Sequence, residues 1–334
     1  MISTAPGGPP AGPRARAARA PGASALLLFG CLAALLVAAR LVLAPHVTDA
    51  AVQAWGTIFV AICVQALPFL VFGVALSAAI TAFVPAETWT RLLPRRAAVA
   101  VPVAGAAGAV LPGCECASVP VAGSLMARGV APAAALTFLL AAPAINPIVM
   151  VATAVAFPGQ PGMVAARFGA SLAVAVLVGW VWAWLGKGEW IKVPARPAHD
   201  GGKWDAFRQA VRHDFMHAGG FLVVGGAAAA TINVVVPSSW LTGLAGIGWA
   251  SVLVLAVLAV LMSICSEADA FVAASLTAFS PTAKLAFLVV GPMVDLKLIA
   301  LQTGMFGKAF ALRFVPLTFV LAVSVSSLVG VVFL

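Results

Sequence analysis

Apolar residues run through this chain in long blocks separated by short polar breaks. The first extends from Ala23 to Leu43 and the second from Ala51 to Val84. Others follow at about 97–113, 117–128, 131–157, 162–186, 217–236, 246–264, 266–279, 282–303 and 308–333. Such blocks predict helices that cross a bilayer, whose hydrocarbon core of about 30 Å takes roughly 20 helical residues. The first is longer than the apolar region of about 7–15 residues in a cleaved leader, so it predicts an uncleaved helix over 23–44. The second would make a helix of about 50 Å. Pro68 offers a kink there and places the spanning part near 66–84.

Two segments break the apolar pattern. Residues 1–22, rich in Pro, Ala and Gly with Arg14, Arg16 and Arg19, predict a disordered basic tail. The stretch 187–216 carries Lys187, Lys192, Arg196, Lys203, Arg208 and Arg212 and ends in WDAFRQAVRHDFMH, which predicts an amphipathic interfacial helix on a cytoplasmic loop. It separates a first membrane unit, 51–186, from a second, 217–334.

Composition agrees with the pattern. The 334 residues are 63% hydrophobic and 9% charged, with a mean hydropathy of +1.11, whereas soluble domains carry roughly 25% charged residues. A soluble globule could not hide so much apolar surface, which excludes a cytosolic enzyme, a nucleic-acid binder and a disordered chain. The fold class expected is all-α polytopic membrane protein, with about 10–11 membrane segments and the lipid bilayer as first partner. The net charge of +9 reports basic cytoplasmic loops rather than an acidic partner. Five scattered cysteines make no disulfide framework.

The halves resemble each other. Phe69–Pro85 (FLVFGVALSAAITAFVP) aligns without gaps with Phe221–Pro237 (FLVVGGAAAATINVVVP), and nine of seventeen positions are identical, Gly73 and Gly225 among them. Composition alone gives roughly one or two matches. A second block pairs Cys116 with Cys265, Pro132 with Pro281, and Leu136, Phe138, Leu139 and Pro143 with Leu285, Phe287, Leu288 and Pro292. Two blocks in the same order predict a duplicated unit. Basic residues cluster at the N-terminus, at 91–96, at Arg128, in 187–212 and at Lys308. Placing them all in the cytoplasm requires 117–128 to cross, which gives an odd number of passes per repeat. The halves are then inverted copies, and the N-terminus is cytoplasmic.

Inverted repeats with broken helices are the architecture of many secondary transporters, with the substrate site at the repeat interface. The expected breaks are LPGCECASVP (Cys114, Glu115, Cys116), APAINP (Pro143, Asn146, Pro147), ICSEADAF (Cys265, Glu267, Asp269) and GPMVD (Pro292, Asp295). A carboxylate inside hydrocarbon costs roughly 2.5–3.5 kcal/mol on insertion scales and persists where it faces a cavity, a partner or an ion. Glu115, Glu267, Asp269 and Asp295 are therefore candidate substrate or ion ligands, together with Asn146 and the backbone freed at Pro143, Pro147 and Pro292. The competing account makes the acids structural partners of Lys284 and Lys297. Cys114 and Cys116, with Cys265 at the repeat-equivalent place, could present thiolates to a soft metal or metalloid; the competing account is apolar packing. Cys31 and Cys63 lie mid-helix and suit packing. His46, His199, His213 and His217 lack metal-ligand spacing, although His217 falls opposite Gln65 in the repeat. No Walker A, G-x-S-x-G or H-E-x-x-H motif occurs, so neither an enzyme nor a cofactor is expected. Trp180, Trp182, Trp184, Trp190 and Trp204 read as an interfacial belt. A thiol-redox protein using Cys114 and Cys116 and a scaffold subunit are the two other classes that fit; Glu115 disfavours a thiolate beside it.

C-E-C-x-x-x-P at Cys114–Pro120 and R-G-V-A-P-x-x-A-L-T-F-L-L-A-A-P-A-I-N-P at Arg128–Pro147 resemble motifs of the bacterial predicted-permease family related to ArsP. C-S-E-A-D-A-F and A-F-L-V-V-G-P-M-V-D-L-K resemble its second half, and the likeness covers roughly 50–333. The resemblance implies a plasma-membrane permease, in a family whose ArsP branch exports trivalent organoarsenicals using membrane cysteines, to which Cys114 and Cys116 correspond. It also implies that a second small membrane protein can accompany such permeases. The S-E-A-D-A run is closer to the uncharacterised branch.

Overall fold

Prolines and isolated polar residues decide where this chain's helices begin. The computed structural model describes residues 50–85, 96–110, 114–192, 202–235, 248–262 and 265–334. The tail 1–22, the helix expected over 23–44, Cys31, His46, His199 and Pro237 lie outside the described residues. Residues Ala54–Leu334 form one compact unit. Of the other unit, Met1–Gln53, the described residues 50–53 are the first turn of a helix.

The described residues are helical, without strands: α1 (Ala50–Phe83), α2 (Ala97–Gly108), α3 (Glu115–Ala127), α4 (Pro132–Ile145), α5 (Pro147–Ala156), α6 (Pro161–Leu185), α7 (Lys203–Val235), α8 (Gly248–Met262), α9 (Ser266–Ser275), α10 (Pro281–Val290), α11 (Leu296–Phe306) and α12 (Lys308–Phe333), with a 3-10 turn at Gly188–Trp190. Pro132, Pro147, Pro161 and Pro281 each open a helix, where the missing N–H costs nothing and the fixed φ is already helical. Gly307 separates α11 from α12 at φ 92°, a conformation glycine adopts without a Cβ clash.

Among the described residues, five spans are long and apolar enough to cross a membrane: α1, α6, α7, α12, and α4 with α5 taken together. The protein is an all-α, multi-pass membrane protein. α1 runs unbroken through Pro68 for 34 residues. α7 likewise carries the amphipathic segment 203–216 and the apolar segment 217–235 as one helix. The remaining helices are short. At 1.5 Å per residue, α2, α3, α8, α9, α10 and α11, with 10–15 residues each, measure about 15–22 Å against a core of about 30 Å. The junction of α10 with α11, Gly291–Asp295, is buried throughout.

Large apolar side chains such as Val64, Val71, Val155, Leu312 and Val331 point outward, as suits a surface bathed in lipid. Helix contacts use small residues instead, since lipid removes the hydrophobic drive for helices to associate. Gly73 of α1 lies against the backbone of Ala117 in α3, Gly179 against Thr137 and Val101, and Gly225 of α7 against Lys297 and Ala300 of α11. Gly73→Ala is expected to cost about 1–3 kcal/mol through overpacking. Gly219→Ala, with nothing within 4 Å of the new Cβ, should leave stability unchanged or slightly raised. Thermal unfolding of the two variants in detergent checks this.

The packing repeats with a period of six helices. α2 packs on α4 and α6, and α8 on α10 and α12; α4 packs on α6 as α10 does on α12; α3 packs on α4 as α9 does on α10. Contacts of α3 with α11 and α7, of α5 with α9, and of α6 with α10 and α12 join the halves. α1 and α7 lie side by side in opposite directions. Trp55 donates to Thr231 Oγ1 at 3.0 Å, Ser77 donates to Asp214 at 3.0 Å, and Phe83 packs on Trp204 and Phe207. α6 and α12 are also antiparallel, with Gly162 beside Leu334 and Trp182 edge-on to Phe310 and Phe314.

Candidate functional site

Four helices begin inside the bundle, and each presents polar residues at its first turn. An α-helix starts with N–H groups that lack intrahelical acceptors, so a buried start needs an acceptor from elsewhere. At α5 the acceptor is Asn146, whose Oδ1 takes the Val149 N–H at 3.0 Å while its Nδ2 donates to Ala142 O at 3.0 Å. One side chain thus satisfies the end of α4 and the start of α5. At α11 it is Asp295, whose Oδ1 accepts the Leu298 N–H at 2.6 Å. Asn146 and Asp295, which coincide in the repeat alignment, do the same capping work. Cys114 precedes α3 and Cys265 precedes α9 without side-chain caps, and Glu115, Glu267 and Asp269 lie in the first turns that follow. Acids there also meet the positive end of the helix dipole.

Pro147 is the first residue of α5. Pro143 sits inside α4, buried near its end, and Pro292 lies in the turn between α10 and α11. Gly291 opens that turn under tight constraint, since a Cβ on it would come 2.5 Å from Asp269 Oδ2.

Three of the four starts, those of α3, α9 and α11, converge through charge. Glu115 is 1% exposed and Lys297 3%, and Lys297 Nζ lies 2.6 Å from Glu115 Oε1 and 3.5 Å from Asp295 Oδ2. Ser266 Oγ donates to the other Glu115 oxygen at 3.2 Å. The Cys265 thiol donates to Glu267 Oε2 at 2.7 Å and accepts from Gln65 Nε2 at 3.0 Å. Glu115, Ser266, Cys265, Lys297 and Asp295 are thereby joined across the two halves. A cavity of about 10 Å³, lined by Gln65, Cys114, Glu115, Cys116, Cys265 and Lys297 and walled by Ile62 and Phe69, opens beside them. It has room for one water molecule.

A second charge group lies on the other side of Ser266. Arg167 of α6 is fully buried. It donates from Nη1 to Thr153 Oγ1 at 2.6 Å and from Nη2 to Ser266 O at 2.9 Å. It therefore ties α5 to the start of α9. Asp269, then Glu267, are the carboxylates whose charge acts on it. Each group sets one cation against two carboxylates: Lys297 with Glu115 and Asp295, Arg167 with Asp269 and Glu267.

All the sequence-predicted residues with side-chain chemistry except Asn146 thus belong to these two groups or line the cavity. Asn146 is occupied by the backbone. The three cysteines Cys114, Cys116 and Cys265 border one cavity. Among the described residues, however, no three Cys, His, Asp or Glu side chains stand together as a ready metal cage. Lys297 was legible only as a neutralising partner, and Arg167 and Gln65 were not among the candidates. An arginine inside the apolar block 162–186 was the missed signal, because such a charge is retained only against a partner. The capping roles leave no mark beyond Asn-Pro and Asp-Leu.

A further polar cluster lies about 12 Å along α3, eight residues from Cys116 to Ser124. There Ser77 Oγ contacts Ser124 Oγ, Pro120 O at 3.0 Å and Asp214 Oδ2 at 3.0 Å, which ties α7 to α1 and α3. His217, which falls opposite Gln65, lies outside the cavity, stacks on His213 and packs at a tilt against Phe221.

Residues 52–333 match the model of a family described as predicted permeases, ArsP_1. The chain is 34% identical over 281 residues to "UPF0718 protein YcgR" of Bacillus subtilis, covering 82% of this chain and 96% of that one. It is 32% identical over 283 residues, 82% and 94% of the two chains, to a Streptococcus mutans protein named "Putative two-component membrane permease complex subunit". No solved structure gives a significant match. With a family model spanning residues 52–333 and relatives matched over nearly their full length, this chain belongs to the ArsP_1 family of predicted permeases.

Proposed function

We propose that the protein is a secondary transporter of the bacterial plasma membrane that exports a soft metal, a metalloid or a small thiophilic organic solute by alternating access. The observation that carries this reading is the cavity bounded by three thiols and an ion pair, set where three helices begin inside the bundle. Thiols select soft cations and metalloids. The carboxylates Glu115, Asp295, Glu267 and Asp269 outnumber the buried cations Lys297 and Arg167 by four to two, which favours a positively charged substrate or coupling ion.

Alternating access requires two arrangements of the halves around a fixed site. An inverted repeat supplies them, and two features support one here. The packing recurs every six helices, and the counterpart helices that touch, α1 with α7 and α6 with α12, run in opposite directions. A two-fold axis in the membrane plane relates such pairs. The positive-inside distribution then puts the N-terminus in the cytoplasm. The name of the streptococcal relative speaks of a two-component complex, and a second small membrane protein is accordingly a partner in this reading.

The test is a deletion strain screened for growth and accumulation across metals and metalloids. The deletion is expected to accumulate at least one soft element or its organic derivative, and the wild-type gene to restore export. Cys114→Ser/Cys116→Ser is expected to cut export about tenfold or more, as loss of soft ligands should. Full complementation by that variant and by Cys265→Ser would remove the thiols from the mechanism.

A further inference from the structure

Lysine is the wrong charge for the place Lys297 occupies. It is the second residue of α11, where unsatisfied N–H groups give the helix its positive end and acids are the stabilising residues. The repeat-equivalent residue in α5 is Ile148, which is exposed, and α5 begins on the uncharged cap Asn146. A helix of this kind therefore starts well without an ion pair, and capping does not explain the lysine. What holds it is the pair of carboxylates, one from each half: Glu115 at 2.6 Å and Asp295 at 3.5 Å. Both oxygens that face the ammonium, Glu115 Oε1 and Asp295 Oδ2, are buried and have no hydrogen-bond partner among the described residues, so charge is what holds both carboxylates to Lys297.

We propose that Glu115 and Asp295 form a binding site for a monovalent cation, and that the Lys297 ammonium is a tethered occupant which a free cation displaces. The inference rests on the transporter reading and names what the carboxylates exchange. The site is built around one ammonium, and a monovalent ion in its place leaves the local net charge as it stands with Lys297 bound. The flexible stem lets the ammonium withdraw, and the cavity bordered by Gln65, Cys116 and Lys297 is the space beside it. A tethered ion offsets one of the two negative charges when no free ion is present, so the empty carrier is not left with two bare carboxylates at the junction of its halves.

The experiment uses the full chain purified in detergent, with thermal unfolding followed in sodium, methylammonium or choline chloride at equal ionic strength. Lys297→Ala opens the site. It is expected to be stabilised saturably by sodium and methylammonium but not by choline, at a half-saturating concentration about tenfold or more below any wild-type response. Adding Asp295→Asn should abolish the effect. If Lys297→Ala is recovered in monodisperse form only when purified in sodium or methylammonium, that too supports the site. Equal behaviour in all three salts, recovery in none of them, or an unchanged response in Lys297→Ala/Asp295→Asn would overturn it. Export in the strain screen is read separately, so failure of the cation site leaves the transporter reading standing, and failure of the screen leaves sodium binding measurable.

Discussion

Arg167→Leu is expected to destabilise the protein by about 3–5 kcal/mol, the cost of removing one member of a buried charge group. The guanidinium is fully buried, and its hydrogen bonds go to different elements: Thr153 in α5 and the Ser266 carbonyl that opens α9. Its loss removes the cation that acts most strongly on the buried Asp269, leaving the weaker influence of Lys297, and Asp269 Oδ2 already lacks a hydrogen-bond partner among the described residues. Lysine at 167 keeps the charge but is a point donor and cannot reach both partners as a planar fork does, so Arg167→Lys should fall between wild type and Arg167→Leu. The double variant Arg167→Leu/Asp269→Leu removes the charge with its partner and should recover most of the loss, as uncharged replacements of buried ion pairs often do. Thermal unfolding in lipid nanodiscs checks the series. A loss below about 1 kcal/mol in Arg167→Leu, the scale of an exposed pair, would show that the arginine is not the tie between α5 and α9.

Asp295→Asn is expected to preserve the fold and to reduce export about tenfold or more. Capping and charge are separable at this position because the molecule carries the control itself. Asn146 caps α5 through the same kind of bond that Asp295 makes at α11, 3.0 Å to Val149 N against 2.6 Å to Leu298 N, and asparagine and aspartate cap about equally well. Asparagine at 295 therefore keeps the helix start and removes only the negative charge facing Lys297. Asp295→Ala loses the cap as well and should lie about 1 kcal/mol below Asp295→Asn in stability. Export by whichever element the strain screen identifies, set beside unfolding midpoints, resolves the two roles. Normal export in Asp295→Asn would make this carboxylate a cap and nothing more.

Much of this was legible along the chain. The long apolar blocks carried the class, and prolines with isolated polar residues carried the breaks. Cys114, Asn146, Cys265 and Asp295 each stand immediately before a helix that begins inside the bundle. Less legible was the reason the acids are tolerated. Read singly, a carboxylate in an apolar run is only a costly residue. In the fold, Glu115, Glu267 and Asp269 lie in the first turns of helices and Asp295 caps another, and two of them share a lysine. Arg167 escaped notice for the complementary reason, since its partners lie 14 and 99 residues away. The amphipathic segment before His217 read as interfacial, yet Asp214 within it is buried against Ser77. Periodicity reports that a helix has a polar face and is silent on whether water or another helix covers it.

The sequence by itself determined that the chain lives in a bilayer, that it is helical, and where its helices are interrupted. Those properties follow from local chemistry: apolar length against membrane thickness, and the backbone demands of proline. Tertiary structure alone decided which interruptions meet, because Coulomb attraction between Glu115 and Lys297, 182 positions apart by their numbers, depends on distance through space. That meeting turned four separate costly acids into two buried charge groups around a thiol-lined cavity.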